Sequence, residues 1–153
     1  MTDQMKYTLQ RAIDSVVQRR HKLIVVTIPE DIGVSLCEQM ELLSVDLNLF
    51  LSDKLQAMSP ERRSRAVGKV IDSHIKQLPS AKALVFRRFE ILFLPDLQVN
   101  VIRLFEEMSK ERVIILVWPG KYENGVLFYG EPWHNEYYEY NDADGIILQE
   151  ACK

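Results

Sequence analysis

The residues Gly33-Val34-Ser35 close a stretch in which spacing and residue type bear on chemistry. They follow an apolar run, Leu23 to Ile28, and the intervening Pro29-Glu30-Asp31-Ile32. A phosphate-binding loop of the form G-x-x-x-x-G-K-[ST] would span Ile28 to Ser35. Gly33 and Ser35 match it, Ile28 replaces the first glycine and Val34 replaces the lysine. That lysine is the point charge on the β- and γ-phosphates, and valine supplies neither charge nor donor. Glu30 and Asp31 fall where the backbone would curl around a polyphosphate. A carboxylate about 4 Å from a phosphate oxygen costs roughly 4 kcal/mol at an effective dielectric near 20. A helix N-terminus returns only about 0.3–1 kcal/mol. Repulsion wins, so the usual mode of triphosphate binding is not expected. The plain alternative is a turn, with Asp31 capping the next helix and Gly33 easing its packing. From this stretch alone the turn is preferred.

The elements that would position these residues follow from periodicity. Met5, Leu9, Ala12, Ile13, Val16 and Val17 fall at helical spacing, predicting a helix over 3–20. Continuous apolar runs at 23–28 and 113–118 suit strands buried on both faces. Short strands are expected at 43–47, 83–86 and 145–148, and helices at 34–42, 48–58, 60–77 and 98–109. Ser59-Pro60 is a helix start and Pro79 a stop. Alternating strands and helices imply βαβ units and an α/β, three-layer fold with a mostly parallel sheet. Asn124-Gly125 signals a hairpin within a C-terminal extension over 121–153 that is rich in aromatics and acids. The 153 residues form one domain.

Composition narrows the function classes. A net charge of −3 and a pI near 5.6 exclude a strongly basic nucleic-acid binder while leaving room for a local patch. Cys37 and Cys152 form no metal spacing and read as reduced thiols. No leader and no apolar run near the roughly 20 residues of a membrane span is seen, so a cytoplasmic protein is expected. His21, His74 and His134 lie far apart and show no ligand spacing; no metal site is expected. Enzymatic use of His134, beside Glu131 and Glu136, is not favoured.

Two further groups of residues invite contacts. Arg62, Arg63, Arg65 and Lys69 cluster on one helix, and Arg87 and Arg88 form a second basic pair. They could meet a phosphate backbone, or form a solvated face with local ion pairs. Tyr129, Trp133, His134, Tyr137, Tyr138 and Tyr140 could present a partner surface or close the core from one edge.

The second half of the chain carries an ordered series. It runs Phe89-Glu90-Ile91-Leu92-Phe93, Val101-Ile102-Arg103-Leu104-Phe105, Met108-Ser109-Lys110-Glu111-Arg112, Val117-Trp118-Pro119-Gly120 and Leu127 through Tyr137. Val45-Asp46-Leu47-Asn48-Leu49 with Leu51 and Leu55 precedes it. From about Lys22 to Tyr140 this series resembles the BrxF family, small P-loop-containing proteins of type 3 bacteriophage-exclusion (BREX) defence systems. The resemblance implies a P-loop NTPase-like fold, similar to a minimal AAA+ core without a lid. It also implies a cytoplasmic role in defence against phage DNA, with a large ATPase, a PglZ-like phosphatase and a DNA methyltransferase as partners. The chain departs from the family pattern where chemistry is done. The phosphate lysine falls on Val34, the Walker B acid on Arg87, and the polar residue after the fourth strand on Pro119. An arginine at the acid's position repels Mg²⁺. Glu90 is retained with nothing to activate. Arg112 falls near a position where such assemblies use an arginine across a subunit interface; a helix-terminal charge is the plainer reading.

A non-hydrolysing assembly or regulatory subunit with a degenerate nucleotide site (Glu30, Asp31, Gly33, Val34, Ser35, Arg87, Glu90, Pro119) is therefore expected, without catalytic residues, cofactor or metal. Two alternatives stand. One is an ATP- and Mg²⁺-using subunit completed by a neighbouring chain or a second copy. The other is a DNA-contacting adaptor using Arg62, Arg63, Arg65 and Lys69 with Arg87, Arg88 and Arg112. Arg87 is expected to pair with Glu30 or Asp31, filling the former site with an internal ion pair.

Overall fold

A computed structural model of the protein describes residues 2–149 except 80, 142 and 144; the side chains of Thr2, Asp3, Glu30 and Asp96 lie outside that description. Cys152 also lies outside it. The chain runs α1 (Thr2–Val16), β1 (Leu23–Thr27), α2 (Glu30–Met40), β2 (Leu43–Asp46), α3 (Leu47–Gln56), α4 (Pro60–Lys76) and β3 (Leu84–Arg87). Two 3-10 turns, Glu90–Phe93 and Pro95–Leu97, lead to α5 (Val101–Met108) and β4 (Ile114–Val117). The last strands are β5 (Lys121–Glu123), β6 (Val126–Tyr129), β7 (Tyr138–Asn141) and β8 (Ile146–Gln149).

Five strands form one sheet in the order β2-β3-β4-β1-β8, every neighbouring pair parallel. The uniformly apolar runs sit at its centre because β1 and β4 are covered on both faces. Side chains alternate between two cores. Ile24, Val26, Val85, Ile115 and Val117 face α1 and α2, meeting Leu9, Ile13, Leu36 and Cys37. Val25, Val45, Phe86, Ile114 and Leu116 face the other side, meeting Leu51, Ile71, Ile102 and Phe105 of α3, α4 and α5. The three-layer α/β expectation stands on these two faces.

The second face has a further layer. β5, β6 and β7 form a three-stranded antiparallel sheet. Asn124 and Gly125 adopt φ of 52° and 79°, the left-handed pair a two-residue hairpin turn requires. Leu127, Tyr129, Tyr138 and Tyr140 point inward onto the core.

Three boundaries differ from expectation for local reasons. α1 stops at Val16, where the Arg19 amide closes a turn onto the Val16 carbonyl (2.9 Å). α5 starts at Val101, since Gln98 is left-handed (φ 53°) and Asn100 Oδ1 caps the helix by accepting from the Arg103 amide (3.4 Å). α2 starts at Glu30, four residues before the predicted start at 34, which reshapes the candidate site.

Candidate functional site

In open parallel sheets, ligands bind beyond the carboxyl ends of strands, where neighbouring strands send the chain to opposite faces. Here those neighbours are β1, which leads to α2 on one face, and β4, which leads to β5 and β6 on the other. The residues at their ends decide what the crevice can hold.

At the end of β1, only Ile28 and Pro29 separate strand from helix. Pro29, extended at φ −60° and ψ 150°, occupies the N-cap position and offers no side-chain cap. The Gly33 amide donates to the Pro29 carbonyl at 3.1 Å, an ordinary i to i−4 helical bond. Residues 30–35 are thus the opening turns of α2, with their backbone wound into the helix. The match of Gly33 and Ser35 to a phosphate-loop pattern therefore falls on helical backbone. Ser35 Oγ accepts from Gln39 Nε2 (2.9 Å) along the helix surface. Gly33 is pressed on the sheet: a Cβ there would lie 3.2 Å from Val117 Cγ2 and 4.0 Å from Ile28 Cδ1. Val34 is half-buried and Asp31 exposed. Asp31 is not the cap; one position inside the helix start, it faces the positive end of the helix dipole instead.

At the end of β3, Arg87 Nε donates to Ser44 Oγ of β2 at 2.7 Å. Arg88 takes a left-handed φ of 52°, which brings Nη1 to 3.3 Å from Asp46 Oδ2. Asp46 also caps α3, its Oδ1 accepting from the Leu49 amide at 3.3 Å. The end of β2 therefore anchors both cations. Arg87 was expected to pair with Glu30 or Asp31; Asp31 joins no ion pair among the described residues, and the Glu30 side chain, on which the other half of that expectation falls, lies outside them. Burial pushes the Cys37 thiol up, and the nearby Arg87 guanidinium opposes that push.

Glu90 opens the first 3-10 turn, exposed. Burial raises the Tyr129 phenol, and Glu136 and Glu90 add to the shift. Beyond β4, the Trp118 amide extends the ladder to the Val26 carbonyl (2.9 Å), and its indole donates to the Phe128 carbonyl (2.9 Å). Pro119 then turns the chain into β5.

The basic set divides. Arg62, Arg65 and Lys69 are exposed. Arg63 Nε donates to the Leu55 and Met58 carbonyls (2.7 and 3.0 Å), closing the end of α3. Arg112 Nη1 donates to the Ile75 carbonyl at the end of α4 (3.4 Å). Both cations serve helix C-termini.

The aromatic set divides as well. Tyr129 stacks on Phe93 with ring centroids 4.0 Å apart and 8° between planes. Tyr138 accepts from the Ile102 amide (3.0 Å) and donates to Asn100 Oδ1 (2.5 Å). Of the two readings expected for the aromatic set, these two residues take the second and close the core from one edge. Trp133 is 76% exposed. His134 Nδ1 accepts from the Glu131 amide (3.3 Å), and Tyr137 donates to Glu139 (2.6 Å).

Ser44, Asp46 and Asn100 were not singled out from sequence. An Asp or Asn just before a helical run was the available signal for the two caps; nothing marked Ser44. Among the described residues no group of three or more His, Cys, Asp or Glu could hold a metal ion, and no helix is long and apolar enough to cross a membrane. Comparison with known proteins finds no matching family model, no matching characterised protein and no matching solved structure.

Proposed function

We propose that this chain is a BrxF-like component of a bacterial phage-defence system, acting in the cytoplasm as a non-hydrolysing assembly or regulatory subunit on a P-loop NTPase-like, minimal AAA+-like scaffold. One observation carries the non-hydrolysing part. α2 begins directly after Pro29, with the Gly33 amide bound to the Pro29 carbonyl. A nucleotide phosphate needs that backbone open as a cradle. The residue types agree: Val34 lacks the phosphate charge, Arg87 stands where Mg²⁺ would need an acid, and Pro119 has no polar side chain. The defence role rests on the ordered series from Lys22 to Tyr140 and its resemblance to the BrxF family.

Co-purification with the products of neighbouring genes, followed by mass measurement of the complex, tests the assembly role. The expected result is a stable complex containing a large ATPase, a PglZ-like protein or a methyltransferase. A chain that elutes alone, and whose deletion leaves phage protection intact, would overturn it.

A second reading, a DNA-contacting adaptor, is favoured by one observation. Arg62, Arg65 and Lys69 form an exposed stripe at i, i+3 and i+7 on α4, with no hydrogen bond or ion pair among the described residues. Duplex affinity that falls steeply with salt, with a shallower slope on removing these three cations, supports the adaptor; no binding at low salt removes it.

A further inference from the structure

We infer that the outer face of the β5–β6–β7 sheet is a docking groove for a proline-rich, basic-flanked peptide in the polyproline II conformation. The inference is independent of the crevice at the carboxyl end of the main sheet.

The inward side chains of this small sheet, Leu127, Tyr129, Tyr138 and Tyr140, are spent on the core. Strand alternation puts Phe128 outward, paired across the strands with Lys121 and Glu139. Phe128, Tyr137, Pro119 and Pro132 line an open groove of about 450 Å³. Trp133, the residue after Pro132 of that lining, is 76% exposed.

Trp133 does not sit on a loose tip. The His134 amide donates to the Glu131 carbonyl (2.8 Å), the Tyr137 amide to the His134 carbonyl (3.1 Å), and the Glu131 amide to His134 Nδ1 (3.3 Å). These bonds fix the backbone turn that carries Trp133 before any partner arrives, which lowers the ordering cost of binding.

The chemistry of the groove selects its occupant. A polyproline II segment presents flat apolar rings and solvated carbonyls, with few or no N–H groups. It needs aromatic and prolyl walls and a donor, and the Trp133 indole N–H is a donor only. That donor has no partner among the described residues. An added β-strand would pair along a sheet edge and not across the face that Phe128 occupies. Glu123 and Glu131 line the groove against one cation, Lys121, so basic flanks complement it. A second copy is a poor fit: the chain is net acidic and its six prolines are scattered singly.

Titration of the full chain with a synthetic proline-rich peptide flanked by arginines tests this, read by indole fluorescence and calorimetry. Trp118 is buried and Trp133 exposed, so a shift on binding reports Trp133. The expected result is saturable binding with a blue shift. Trp133→Ala, a surface change that leaves the core untouched, should weaken it about tenfold or more. Glu131→Lys should weaken the basic peptide while sparing an uncharged proline-rich one. No saturation at millimolar peptide, equal binding of a helical peptide of the same charge, or unchanged affinity in Trp133→Ala would each overturn the inference. So would self-association in sedimentation that Trp133→Ala abolishes, since the occupant would then be a second copy.

Discussion

The amide of Gly33 donates to the carbonyl of Pro29 at 3.1 Å. This single bond joins the last residue before α2 to the glycine that would end a phosphate loop. Its consequence is that the strand β1 passes into helix with only Ile28 and Pro29 between. Gly33 also lies on Val117, with room for a Cβ only if that valine gives way by a few tenths of an ångström.

Gly33→Val is expected to lower stability by about 1–3 kcal/mol, since a branched side chain must displace Val117 in a packed core. Gly33→Ala should change it far less, because the alanine gains up to about 1 kcal/mol of helix propensity against a small clash. Urea melts of both variants check this. Equal, negligible effects would mean that α2 does not press on β4 as described.

Asp46 holds the amide of Leu49 with one oxygen and Arg88 with the other. Asp46→Asn keeps the cap and loses the charge, so its cost should stay within about 1 kcal/mol, the range of a partly exposed ion pair. Asp46→Ala also loses the cap and should cost about 0.5–2 kcal/mol more. Denaturant melts of the two variants, compared directly, measure the difference; no difference would contradict the capping role.

Arg63 and Arg62 are sequence neighbours with different fates. Arg63→Ala strips the Leu55 and Met58 carbonyls of their donor, and about 1.5–3 kcal/mol should be lost. Arg62→Ala, at an exposed position, should stay within about 0.5 kcal/mol. If a DNA duplex is bound, Arg62→Ala should weaken it while leaving the melting curve in place.

Tyr138 carries a pH dependence. Burial pushes its phenol above the ordinary tyrosine range, with its bond from the Ile102 amide opposing and the nearby Tyr140 and Glu106 adding. The folded chain keeps this proton where the unfolded chain, at an ordinary value of about 10, gives it up. The associated stability is fully present below that pH and is lost as pH rises toward the folded value. Thermal melts between neutral and alkaline pH should show a decline that begins near pH 10, and phenolate absorbance should show a tyrosine that ionises only on unfolding. Tyr138→Phe should remove that tyrosine, flatten the decline, and cost about 1–3 kcal/mol at neutral pH by stranding the Ile102 amide. Simultaneous ionisation of all six tyrosines in the folded state would contradict this.

The main sheet was legible in the sequence. Leu23–Val26 and Ile114–Val117 are apolar at every position because both faces are covered. Asn124-Gly125 announced the hairpin through its turn chemistry. β7 was not assigned, because Tyr138 and Tyr140 alternate with Glu139 over too few residues to distinguish a strand from an acidic aromatic loop. The start of α2 was misplaced since Gly33 interrupts the helical pattern; its reason for being there, the surface of Val117, is a tertiary contact. The same holds at the site. Residue types showed that Val34, Arg87 and Pro119 lack phosphate and metal chemistry. That Arg63 and Arg112 close helix ends, and that Ser44 and Asp46 hold Arg87 and Arg88, depends on elements brought together only by folding.

The central claim is that the opening turns of α2 leave no place for a nucleotide phosphate. Isothermal titration and thermal shift of the purified chain with ATP and Mg²⁺ test it most directly. No heat of binding and an unchanged melting temperature are expected, in the native chain and in Val34→Lys alike, because restoring the lysine does not reopen the helix. A saturable heat with a rise of several degrees in the native chain would contradict it.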